Sequence, residues 1–99
     1  MTSQAAAYTL ATADNGTMIR GTSATAVNYT LPNNMPIGFN VLVKQAGAGQ
    51  ITFVAATGAT MTAFGGKTKT AGQFAEATLI VDANVGGSAA AWALGGNVV

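Results

Sequence analysis

The chain has 99 residues, enough for one domain, a formal net charge of +1, and neither histidine nor cysteine. That composition removes the commonest acid–base groups and nucleophiles, together with disulfides and Cys/His zinc sites. With four Lys or Arg residues and no basic run, the chain cannot neutralise a row of phosphates, so nucleic acid is not an expected partner.

The remaining composition points to association. Hydrophobic residues make up 49% and charged residues 7%, against roughly 25% charged in an average soluble domain. A chain of this size buries only about 60–65% of its unfolded surface. A subunit interface would cover what folding leaves exposed, although alanine supplies part of the apolar count and adds little area. The first residues, Met1 to Ala7, do not place an apolar core after a basic region, so they are not read as a secretory signal. No apolar run approaches the roughly 18–20 residues of a membrane helix, and a membrane partner is not expected.

Taken in order, residues 1–7 are small and uncharged and read as a flexible N-terminal arm ahead of a β-domain over 8–99. Tyr8-Thr9-Leu10 begins the first strand, and Asp14-Asn15-Gly16 is a turn signal. Thr17 to Thr22 is the next strand. Val27, Tyr29 and Leu31 alternate with Asn28 and Thr30 up to Pro32, which lacks the donor a ladder needs.

The clearest pattern is a pair of alternating runs. Phe39, Val41 and Val43 share one face and Ile51, Phe53 and Ala55 another, joined by Ala46-Gly47-Ala48-Gly49. Such runs around a Gly-containing loop predict a central hairpin with Phe39, Val41, Val43, Ile51 and Phe53 on its core side. Gly47 and Gly49 would supply positive φ in the reversal.

Beyond it lie a weaker strand over 59–63, a turn at Gly65-Gly66 and a short edge strand over 67–70. Gly72-Gln73 makes a bend, a strand runs from Ala77 to Asp82, and a last strand from Ala89 to Leu94 follows Gly86-Gly87. The spacing predicts an all-β fold: a single small β-sandwich or barrel of eight to nine short, mainly antiparallel strands. No fixed period is evident, which argues against a solenoid.

Candidate chemistry is sparse. Glu76 and Asp82 are the carboxylate pair worth weighing for glycoside hydrolysis, but nothing around them predicts a cleft. Asp14-Asn15-Gly16 lacks the further ligands of a calcium loop. Gly47-Ala48-Gly49 and Gly65-Gly66-Lys67-Thr68 lack the spacing and the following helix of a P-loop. Trp92 is read as core beside Leu94 rather than as a sugar-stacking platform. Arg20 is read as solvated, and Thr60, Thr62, Thr68 and Thr70 as ordinary strand residues rather than an ice-binding row. No catalytic, cofactor-binding or metal-ligating residue is assigned, and the chain is not expected to be an enzyme.

Phe39-Asn40-Val41 and Gln45-Ala46-Gly47-Ala48-Gly49-Gln50-Ile51-Thr52-Phe53 resemble a recurring segment of tailed-bacteriophage virion surface proteins. That group comprises head decoration and head-fibre proteins and a similar domain of tail fibres. Gly65-Gly66-Lys67-Thr68-Lys69-Thr70-Ala71-Gly72-Gln73-Phe74, Ala77-Thr78-Leu79 and Trp92-Ala93-Leu94-Gly95-Gly96 are similar in order and spacing. The resemblance implies a capsid decoration (cement) protein on the virion surface, assembled in the host cytoplasm. Its partners would be the major capsid protein and itself, as a homotrimer. The alternative it implies is a tail-fibre or head-fibre domain that binds host-surface carbohydrate. A chain opening on Met1 favours a free-standing subunit. An arm of Thr2, Ser3, Gln4, Ala5, Ala6 and Ala7 could order on the capsid by backbone pairing, which makes these the expected capsid-contact residues.

Overall fold

A computed structural model describes residues 2–99, and they are predominantly strand. Nine strands follow one another: β1 (Thr2–Gln4), β2 (Tyr8–Thr9), β3 (Thr17–Gly21), β4 (Val27–Leu31), β5 (Asn40–Gln45), β6 (Ile51–Ala55), β7 (Thr60–Ala63), β8 (Glu76–Asn84) and β9 (Ala90–Gly96). Single turns of 3-10 helix sit at Thr12–Asp14, Phe64–Gly66 and Val85–Gly87. The strands form two open sheets, one ordered β1-β3-β5-β8-β9-β7 and the other β2-β4-β6.

Consecutive strands from β1 to β6 alternate between the two sheets, and each lies parallel to the strand one turn of chain earlier. Ile19 faces Val43 and Tyr29 faces Phe53, each 24 residues on. Like therefore stacks on like. Arg20 lies beside Lys44, Val27 beside Ile51, and the rings of Tyr8, Tyr29 and Phe53 form an edge-to-face ladder at 5.9 and 6.3 Å. Such aromatic pairs add about 0.5–1.5 kcal/mol each beyond the area they bury.

This winding corrects three expectations. β5 and β6 do not form a hairpin: β5 pairs with β3 and β8, β6 with β4. The strands are not mainly antiparallel, since five of the seven ladders are parallel and only β5–β8 and β8–β9 are not. The first six strands are coiled in the manner of a solenoid, although no fixed sequence period marks it.

The Ala-Gly corner explains the first correction. Neither Gly47 nor Gly49 has positive φ. Their value is closeness, because a Cβ on Gly47 would strike the Thr22 and Ser23 backbone and one on Gly49 the Thr25 backbone. The corner packs against the corner of the preceding coil, with Gly49 N–H donating to Ser23 O at 2.9 Å. Glycine here allows stacking of turns rather than reversal of a strand.

Both sheets contribute to one buried cluster, in which Ile19, Val43, Leu79 and Trp92 meet Tyr29, Leu31, Ile51 and Phe53. Phe39, Val41, Val43, Ile51 and Phe53 lie in this core, but on strands of different sheets or just outside them. A polar bolt closes one end. Thr70, fully buried, donates its hydroxyl to Gln45 Oε1 and accepts from Ile51 N–H at 3.0 Å, while Gln50 Nε2 donates to Thr70 O at 2.9 Å. Residues 67–70, expected as an edge strand, make only isolated bridges, Lys69 with Thr52 and Thr70 with Val98.

Candidate functional surface

The outward face of the six-stranded sheet is built by alternation along its strands. Arg20, Lys44 and Glu76 form one cross-strand row, Met18, Leu42 and Thr78 the next, and Asn40 and Ile80 the third. The middle of this face is apolar and its margin charged. An open depression of about 790 Å³ lies over Met18, Leu42 and Ile80, bordered by Gly16 and Gly38. It can receive an apolar side chain.

A second group of features stands out from the frame. Phe64 is 86% exposed and Val85 83%, each at the start of a 3-10 turn continued by two glycines of positive φ. Ile37 and Phe74 are exposed as well. Phe74 adopts φ 71°, a left-handed backbone that a bulky residue rarely accepts, and its N–H donates to Gln45 O. Lys44 Nζ lies 5.9 Å from the Phe74 ring centroid. A strained backbone of this kind costs about 1–3 kcal/mol and persists only when its surroundings impose it. Phe74 is thus held, at some cost, with its ring toward solvent.

The sequence-derived candidates are scattered. Thr2, Ser3 and Gln4, expected in the arm, pair in register with Ile19, Arg20 and Gly21 as β1, and Ala5, Ala6 and Ala7 are exposed. Glu76 and Asp82 are both exposed on β8. Six residues of strand separate them by about 20 Å, well beyond the roughly 5–10 Å of a glycosidase pair. Asp14 is buried and accepts from Tyr8 Oη at 2.7 Å and Ala11 N–H at 2.8 Å, so its carboxyl is engaged in local structure. Burial, then the hydrogen bond to Asp14 and its charge, push the Tyr8 phenol up to about 12.

Trp92 is fully buried and donates Nε1–H to Pro32 O at 2.9 Å, with its ring edge-on to Phe39 at 5.3 Å. It is core, not a platform. Thr60 and Thr62 are exposed while Thr70 is buried, so the threonines do not form one row. Among the described residues no group of three or more carboxylates is placed to hold a metal. The exposed phenyls of Phe64 and Phe74 escaped sequence reasoning. The Gly-Gly after Phe64 marked a turn without saying which side chain it would display.

Taken by its fold, this is a small two-sheet β protein with a wound N-terminal part and an antiparallel C-terminal pair. No protein-family model, no curated protein and no solved structure matches the chain.

Proposed function

We propose that this chain is a non-enzymatic virion structural protein of a tailed bacteriophage. In this reading it is a capsid decoration protein that binds the major capsid protein on the head surface and stabilises it as a homotrimer. The observation that supports an adhesive role is the set of large apolar side chains held in solvent: Ile37, Phe64, Phe74 and Val85 are 64–86% exposed, while Tyr29, Phe39, Phe53 and Trp92 are buried in the core. Aromatic anchors of this kind dominate the energy of protein interfaces once a partner's pocket desolvates them. The resemblance to virion surface proteins gives the partner, and a small β-sandwich frame would give the rigidity that cementing requires.

The role predicts that purified virions carry hundreds of copies, and that added protein binds undecorated capsids and raises their resistance to heat. A few dozen copies or fewer would instead support the fibre-domain reading. Phe74 beside Lys44 favours that alternative to the extent that an exposed ring can stack on a sugar. Absence from virions would overturn both.

A further inference from the structure

Sheet edges are where a β protein guards against its neighbours, with charge, proline, a bulge or a covering segment. The three-stranded sheet is guarded. Along its β6 edge, Phe53 N–H donates to Thr68 O at 2.8 Å and Thr70 N–H to Ile51 O at 2.9 Å. Its other edge, β2, is two residues long.

The six-stranded sheet is not guarded. Its outermost strands are β1 and β7. Neither contains a charge or a proline, both are in regular register with their single neighbour, and among the described residues neither makes a backbone hydrogen bond on its far side. Gln4 O accepts from Thr22 N–H, so Gln4 faces β3 and the alternation turns the Ser3 N–H and C=O outward. Thr2 and Ser3 are exposed, and no side chain of β1 belongs to the hydrophobic core. Among the described residues no element packs beyond the first coil, β1 with β2.

Polarity decides what fits these edges. β3 and β5 run with β1, β8 runs against β5, β9 against β8, and β7 with β9. The two open edges therefore run in the same direction. They have three and four residues. Set side by side, they form a parallel ladder like the five already present within the chain.

We propose that β1 of one copy adds to β7 of a second copy, so that six-stranded sheets join head to tail through backbone hydrogen bonds. This rests on the oligomer proposed above and names its contact surface. Such an interface is heterologous: each subunit gives one edge and receives on the other, and the assembly closes as a ring or continues as a filament. Both edge strands are uncharged, so no side chain on either strand opposes the pairing by charge.

The test uses two blocked variants. Ser3→Pro removes the outward donor of β1, and Thr60→Lys with Thr62→Lys puts charge on β7. Sedimentation velocity should give the mass of one subunit for either variant alone at a concentration where the wild type is oligomeric. An equimolar mixture should give dimers, because each variant keeps one working edge. Ser3→Lys serves as a second block of β1, and a retained strand spectrum shows that each variant is folded. An oligomer unchanged by both blocks would overturn this inference while leaving the oligomer standing. A wild-type monomer would overturn both. Loss of assembly when β1 is blocked but not when β7 is blocked, or blocked monomers that fail to dimerise when mixed, would also rule out head-to-tail pairing.

Discussion

From Thr2 to Ala55 the chain winds, and from Glu76 to Gly96 it doubles back. In the wound region every strand meets a partner one coil away, and register is fixed where corners touch: Gly47 and Gly49 seat against Thr22 to Thr25. In the doubled-back region register is fixed locally, by the turn Val85–Gly87, whose two glycines have φ of 77° and 87°. The first arrangement depends on closure of long loops before any strand pairing is made, and the second on one short connection. Yet they are not separate bodies. β8 sits between β5 and β9, and Leu79 faces Val41 on one side and Leu94 on the other. The parallel coils supply strands to both walls of the core, and the antiparallel pair extends one of them.

If the shared core binds the regions together, damage to either should unfold both. Phe53 is 2% exposed in the wound region and Trp92 fully buried in the other. Phe53→Ala and Trp92→Ala should each cost about 3–5 kcal/mol. Urea unfolding of Phe53→Ala, followed by Trp92 fluorescence and by far-ultraviolet circular dichroism, should show one coincident transition. Separate transitions would mean that the regions are independent folding units.

The corner contact sharpens the comparison next. Gly49→Ala drives a methyl into the Thr25 backbone, which cannot rotate away, and should cost about 1–3 kcal/mol. Gly72→Ala meets nothing within 4 Å at ordinary φ and should stay within about 0.5 kcal/mol of the wild type. Denaturation midpoints of the two variants check this. Equal effects would show that the stacked corner does not fix the coils.

The outermost rung of the aromatic ladder carries a pH signature. Tyr8 gives its hydroxyl to buried Asp14, and its folded-state pKa is pushed from the ordinary 10.0 up to about 12. A raised pKa contributes stability that is present in full below pH 10, declines as the unfolded phenol ionises above it, and is gone once the pH passes about 12. Tyr8→Phe should lower stability by about 1 kcal/mol at neutral pH through the lost hydrogen bond. It should also flatten the fall in melting temperature between pH 10 and 12, which a series of thermal melts would read.

Which residues point inward was legible from alternation, because period two is imposed by the backbone whatever lies beside the strand. Val27–Leu31 is a strand with the bounds its pattern predicts, and Tyr29 and Leu31 are its buried residues. Which strand lies beside which was not legible, because the same inward pattern serves a hairpin partner or a strand 24 residues away. A repeat is nevertheless present. Met18, Ile19, Arg20, Val27 and Tyr29 align with Leu42, Val43, Lys44, Ile51 and Phe53, chemically alike and never identical. Tyr8-Thr9-Leu10 recurs as Tyr29-Thr30-Leu31, but at 21 residues rather than 24, and Thr2 meets Ile19 at 17. Conservative replacement and corners of changing length conceal the period from a fixed-interval search. The displayed phenyl of Phe74 was hidden for another reason: a left-handed φ at a residue other than glycine comes from tertiary contacts, not from local preference.

The smallest expected effect is also the one that separates neighbouring rungs most cleanly. Tyr29 is fully buried between the rings of Tyr8 and Phe53, and its hydroxyl has no hydrogen-bond partner among the described residues. Gly21 lies so close that a Cβ there would stand 3.0 Å from the hydroxyl oxygen. Burial alone pushes the Tyr29 phenol above its ordinary pKa. An unpaired buried hydroxyl gives up its hydration without return, so Tyr29→Phe should leave stability unchanged or raise it by about 0.5–1 kcal/mol. The same substitution one rung outward, at Tyr8, removes a made hydrogen bond and should lower it. Opposite signs for one chemical change, measured by urea unfolding of the two variants side by side, would show that the ladder is held by its rings at Tyr29 and by its hydroxyl at Tyr8. A loss of more than about 1 kcal/mol for Tyr29→Phe would mean that its hydroxyl has a bound water or another partner after all.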